Sequence, residues 1–147
     1  MGLLLDQSDL IPITVYYSEK VNKHGARIFR VINEDKAKAA LADPLKAPDI
    51  KVLKTKFRQQ SWEIQQQLYR DAAKYNPVSG LNDTDWPTFS DLQLKKLLAE
   101  WDLVNEETQQ PYPVLPEYVG ALPSPIANEL LAQFRLSTML EDDEGSF

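Results

Sequence analysis

The sequence predicts an α+β domain in which an N-terminal β-hairpin precedes a mainly α-helical body of three or four helices. Three observations carry that class. Two runs rich in β-branched and aromatic residues, PITVYYSEK and ARIFRVIN, flank the turn-forming VNKHG. Two later stretches space their apolar residues at helical intervals. Five of the ten prolines fall in PYPVLPEYVGALPSP, which limits that segment to extended pieces before a last amphipathic stretch.

The hairpin is expected over about residues 12–33. Asn33 then suits the cap of a short helix, EDKAKAALAD, whose first turn holds Glu34 and Asp35 where the helix dipole favours them. Pro44 and Pro48 end it. IKVLKTKF has no clean period and reads equally as an extended lead-in or a third strand. From Ser61, a good N-cap, Ile64, Leu68, Ala72 and Tyr75 form one helical stripe flanked by Trp62, Tyr69 and Ala73. YNPVSGLNDTDWP reads as a surface loop because turn-forming residues run through it.

Asp85 and Pro87 open the next helix, in which Leu94, Leu97, Leu98 and Trp101 follow the i, i+3, i+4, i+7 spacing. Trp101 is therefore expected as the last rung of a core stripe, with Asp91 and Lys95 paired on the wet side. One helical turn fits Pro116–Leu122. A final helix from about Pro125 to Leu140 presents Ala127, Leu130, Leu131 and Phe134 on one side. The organisation expected is a single domain over 1–140, with the hairpin at about 12–33, the helical body at about 34–140, and EDDEGSF at 141–147 as a solvated acidic tail.

At 147 residues the chain is long enough to bury a core without staples. Its 43% apolar and 26% charged residues argue against wholesale disorder. There is no cysteine, so disulfide and thiolate chemistry are excluded, which suits a reducing cytoplasm. MGLLLDQSDLIP has no basic stretch of the signal-peptide kind, and Asp6 stands where myristoylation wants Ser or Thr. No apolar run approaches the roughly 18 residues of a membrane span, so a soluble protein without a membrane partner is expected. Residues 1–60 hold 11 Lys/Arg against 7 Asp/Glu, whereas residues 61–147 hold 5 against 15. This asymmetry favours a polar partner surface or head-to-tail association of copies over nucleic acid, which wants a concentrated basic face.

Candidate chemistry is sparse. The only histidine, His24, sits in the hairpin turn and lacks the companions that a metal site requires. Asp83 and Asp85 suit a turn and a helix cap, and the other ligands of a calcium loop are missing around them. The five glycines form no phosphate-cradling loop, and one histidine in a turn gives no ground for a nucleophilic triad. No enzyme activity, metal or cofactor is expected. Lys46, Lys51, Lys54, Lys56 and Arg58, followed by Trp62 and Tyr69, fit a solvated strand face or a contact with an acidic partner better than a nucleic-acid footprint. Trp62, Trp86 and Trp101 stand at element junctions and are expected to anchor them, with partner contact as the alternative. On the last helix, Leu136, Met139 and Leu140 lie off the main stripe and offer a second apolar face to a partner or to a covering loop.

One resemblance gathers these pieces. SWEIQQQLYRDAAKYN, a loop, a helix ending LLAEWDL, an acidic turn, PYPV, PEYVGALP and an amphipathic helix occur in that order. This resembles the small tail assembly chaperones of long-tailed bacteriophages over about residues 50–136, although EETQQP stands where that family often has a glycine. Glu100, Trp101, Asp102, Leu103, Pro111 and Pro113 match its signature and would be structural. The resemblance implies a non-enzymatic assembly factor in the host-cell cytoplasm, with tape-measure, tube or baseplate subunits as partners. Leu136, Met139, Leu140 and Trp62 are the partner-binding candidates. The alternative is a structural component of the virion, in the tail or baseplate.

Overall fold

A computed structural model describes residues 2–6, 8–43, 45 and 49–139. β1 (Leu10–Val21) and β2 (Arg27–Ile32) form the N-terminal hairpin. Its turn is built by Asn22, whose side-chain oxygen accepts from the backbone N–H of His24 at 2.9 Å and of Ala26 at 3.0 Å. Gly25 closes the turn at φ 80°, a region that only glycine enters freely. Helix α1 (Glu34–Leu41) follows, capped by the Asn33 side chain and steadied by a Glu34–Lys38 pair at 2.9 Å. Ala37 is its buried residue.

IKVLKTKF resolves into β3 (Lys51–Arg58), an interior strand of the sheet rather than a lead-in. It pairs antiparallel with β1 on one side and with β6 (Leu98–Trp101) on the other, giving the order β2-β1-β3-β6. Leu53, Thr55 and Phe57 point to the core while Lys54 and Lys56 point to solvent. The buried Thr55 hydroxyl donates to the Ile13 carbonyl at 2.8 Å, so an interior polar atom is satisfied across the sheet. The protein is thus α+β, an N-terminal hairpin followed by helices, and its sheet also recruits two short runs from later in the chain.

Between β3 and β6 lie α2 (Trp62–Asp71), β4 (Ala73–Asn76), β5 (Leu81–Thr84) and α3 (Trp86–Leu97). The expected stripe from Ile64 to Tyr75 is cut short. The helix ends at Asp71, and Tyr75 sits exposed in β4. The expected surface loop is a second hairpin, with Tyr75 opposite Asn82 and Lys74 opposite Asp83. Strands of four residues, one of them the polar LNDT, carry too little alternation to be told from a loop.

The larger correction concerns Trp101. Helix α3 stops at Leu97, and Leu98–Trp101 turns into β6 on the edge of the sheet. The pairing explains the misreading. Leu98 lies opposite Phe57 and Trp101 opposite Thr55, so three steps along β6 match two along β3, with the register shift between Lys56 and Phe57. One extra residue of a β-bulge gives core-facing positions an i, i+3 spacing, which is what a helix would show.

Within the Pro-rich segment lies α4 (Pro116–Val119), the single expected turn, and α5 (Ser124–Ser137) starts at its end. Ile126, Leu130, Leu131 and Phe134 of α5 are buried against the sheet, and the Phe134 ring stacks on Phe57 with centroids 5.1 Å apart. A second, smaller cluster of Leu68, Ala72 and Phe89 joins α2 to α3. Gln93 of α3 is buried yet fully engaged. It donates to Gln60 at 2.9 Å and accepts from the Arg135 guanidinium of α5 at 2.8 and 3.0 Å.

Candidate functional site

Four of the six signature residues, Trp101, Asp102, Leu103 and Pro111, build one joint. After β6 the chain turns at residues 105–110 and runs back along itself, with Val104 bridged to Pro111 and the Tyr112 N–H donating to the Leu103 carbonyl at 2.9 Å. Asn105 builds the turn by accepting from the N–H of Glu107 at 2.9 Å and of Thr108 at 3.3 Å. The Trp101 indole N–H donates to the Tyr112 carbonyl at 2.7 Å, which ties the outgoing strand to the returning one. Asp102 continues the sheet: its N–H donates to the Lys54 carbonyl at 3.0 Å, and its carboxylate accepts from the Lys54 N–H at 2.9 Å. Leu103 packs half-buried on the core. Glu100 lies on the solvent face, 3.8 Å from the Lys56 ammonium, and Pro113 is exposed.

The partner-binding candidates are scattered. Leu136 is 70% exposed and Met139 65%, at the end of α5 and just beyond it. Leu140 lies outside the described residues. Trp62, 75% exposed at the start of α2, and Trp86, 58% exposed at the start of α3, are not the buried anchors that their junction positions suggest. Trp101 alone of the three packs on the core. The basic run divides similarly, with Lys54 and Lys56 on the solvent face of β3 and Lys51 turned into an ion-pair network.

That network belongs to a groove which the sequence did not disclose. It encloses about 1170 Å³ between the far end of the hairpin, the joint at 103–112 and the entry to α5. Glu19 of β1 stands at its base, 2.5 Å from the Arg27 guanidinium of β2 and 3.2 Å from the Lys51 ammonium of β3. The hydrogen bond from Arg27, with Lys51 behind it, holds the Glu19 carboxyl below its usual range. Burial pushes the Tyr17 phenol up, so it remains a neutral hydroxyl through the physiological range. Two aromatic pairs line the walls, Tyr17–Phe29 with centroids 6.3 Å apart and Tyr112–Tyr118 at 5.0 Å. Among the described residues the hydroxyls of Tyr17, Tyr112 and Tyr118 bond to no protein group, and no buried side-chain oxygen or nitrogen is left unpaired.

Only the hairpin half of this site had a signal in the sequence. Pairing across the turn puts Val21 opposite Arg27, which sets Glu19 diagonal to Arg27 on one face. Lys51 and Tyr112 arrive from 32 and more residues away and had none. No group of three or more histidine, cysteine or acidic side chains with metal-holding geometry occurs among the described residues. No helix among them is long and apolar enough to cross a membrane. No protein-family model, no curated protein and no solved structure matches this chain.

Proposed function

We propose that the chain is a non-enzymatic tail assembly factor of a long-tailed bacteriophage, acting as a chaperone for tape-measure or other tail proteins in the host cytoplasm. The observation that carries this reading is the division of α5. Its Ile126–Phe134 stripe fills the core, while Leu136 and Met139 stand largely in solvent at its far end. Exposed apolar side chains beyond a filled core are what a transient partner would cover. The best-placed carboxylate, Glu19, is engaged by two cations and held ionised, which suits a structural ion pair better than a proton shuttle.

A second reading, a structural subunit of the tail or baseplate, draws support from the exposed rings of Trp62 and Trp86. They are hot-spot residue types at the starts of α2 and α3, away from α5 in the chain. Co-expression with tape-measure and tail-tube proteins followed by pull-down tests both readings. The double variant Leu136→Ser with Met139→Ser is expected to keep stability within about 0.5 kcal/mol, because both side chains are surface-exposed, and to lose the partner. Retention of every tail partner by that variant would exclude α5 as the binding face. Stoichiometric presence of the chain in purified particles would favour the structural subunit over the chaperone.

A further inference from the structure

We infer that the groove between the hairpin end and the 103–118 segment is a docking site for a proline-rich peptide in the polyproline II conformation that carries a basic residue. This goes beyond the assembly role and uses surfaces distinct from Leu136 and Met139.

Three features of the groove converge on that ligand. The first is its pair of aromatic walls, Tyr17–Phe29 and Tyr112–Tyr118, half-buried rings that line the groove, of which Phe29 is capped by the Arg27 guanidinium 5.1 Å from its centroid while the tyrosines carry no such cation among the described residues. Such rings stack on pyrrolidine rings, and a polyproline II helix meets them with little loss of conformational entropy because it is already extended. The second is the set of tyrosine hydroxyls with no partner among the described residues. A polyproline II backbone makes no internal hydrogen bonds, so its carbonyls need donors of this kind.

The third feature is charge. Arg27 and Lys51 are both engaged by Glu19. On the facing rim, Glu106 and Glu107 form no ion pair with any described residue. The charge left to a ligand is therefore negative, and a peptide with an arginine beside its prolines complements it.

The experiment titrates the full chain, followed by amide chemical shifts, with decaproline, with decaproline ending in arginine, and with a Gly-Ser peptide ending in arginine. Saturable shifts confined to the groove are expected for the two proline peptides, with the arginine-bearing one tighter. Tyr118→Ala is expected to weaken binding at least tenfold, and Tyr118→Phe by a smaller factor, because it keeps the ring and removes the donor. Replacing Glu106 and Glu107 by Gln is expected to erase the advantage of the arginine. Equal binding of the Gly-Ser peptide, or no saturable shift with either proline peptide at millimolar concentration, would overturn the proposal. So would groove shifts that appear only as the protein's own concentration is raised, since these would mean that a second copy occupies it. If tail proteins bind as well to Tyr118→Ala as to the parent chain, the assembly role survives whatever the peptides show.

Discussion

The two apolar clusters of this chain are built on different terms. The sheet and α5 enclose twelve buried residues, drawn from β1, β3, β6, α3, α4 and α5. The lobe made of α2, the β4–β5 hairpin and the start of α3 encloses three, Leu68, Ala72 and Phe89. Around Phe89 the lobe places Tyr69 at 5.2 Å and Trp86 at 5.4 Å, and both of these rings remain substantially exposed. The large core can therefore set global stability, whereas the lobe is a thin shell over one phenylalanine that opens at lower free energy. The contrast also separates roles, since the exposed rings concentrate where the packing is thinnest.

Truncation should expose this difference. Phe134→Ala removes a fully buried ring stacked on Phe57 and is expected to destabilise by about 3–5 kcal/mol. Leu68→Ala in the lobe is expected to lie near the lower end of the Leu→Ala range, about 2–3 kcal/mol, because a small shell collapses into a cavity more readily. Urea denaturation of both variants measures the gap. Amide exchange adds a sharper criterion: Leu68→Ala should speed exchange in α2 and α3 and leave β1 and β3 protected. Uniform acceleration across the sheet would mean that the two clusters unfold as one.

What the sequence disclosed does not follow the boundary between these two regions. The hairpin, the α1 cap at Asn33, the cap of α2 at Ser61 and the buried Leu130, Leu131 and Phe134 of α5 follow from local signals and are present, whereas Ala127 is only half-buried and Ile126 takes the buried place expected of it. The lobe hairpin was hidden by polar strands only four residues long. β6 was hidden because a bulge lends Leu98 and Trp101 a helical spacing, so the period pointed to the right face and the wrong element. The groove was hidden for a third reason, since its walls meet through pairings of high sequence separation that no window contains.

Trp101 tests the joint between β6 and the returning segment at 111–114. Trp101→Phe keeps an aromatic ring against the core but leaves the Tyr112 carbonyl without its indole donor. A lost part-buried hydrogen bond of this kind is expected to destabilise by about 1–2 kcal/mol. Because the bond ties β6 to the segment that supports one wall of the groove, the Tyr112 and Asn105 amides, bonded to the Leu103 and Gln110 carbonyls, should also lose exchange protection. An unchanged exchange pattern together with full stability would show that the turn at Asn105 holds the joint unaided.

The smallest effect is expected at Glu19, and its value lies in its dependence on pH. Glu19 is held below its usual carboxyl range in the folded chain by Arg27 and then Lys51. A group whose pKa falls on folding contributes stability above its unfolded value and loses that contribution as pH falls through the folded value. Glu19→Gln should therefore lower the urea midpoint slightly at neutral pH, with the gap shrinking as pH falls below the ordinary glutamate range and the parent carboxyl takes up its proton. Added salt should shrink the neutral-pH gap as well, because Arg27 and Lys51 are largely solvent-exposed. A gap that persists undiminished by salt at neutral pH would assign the loss to packing at the groove base.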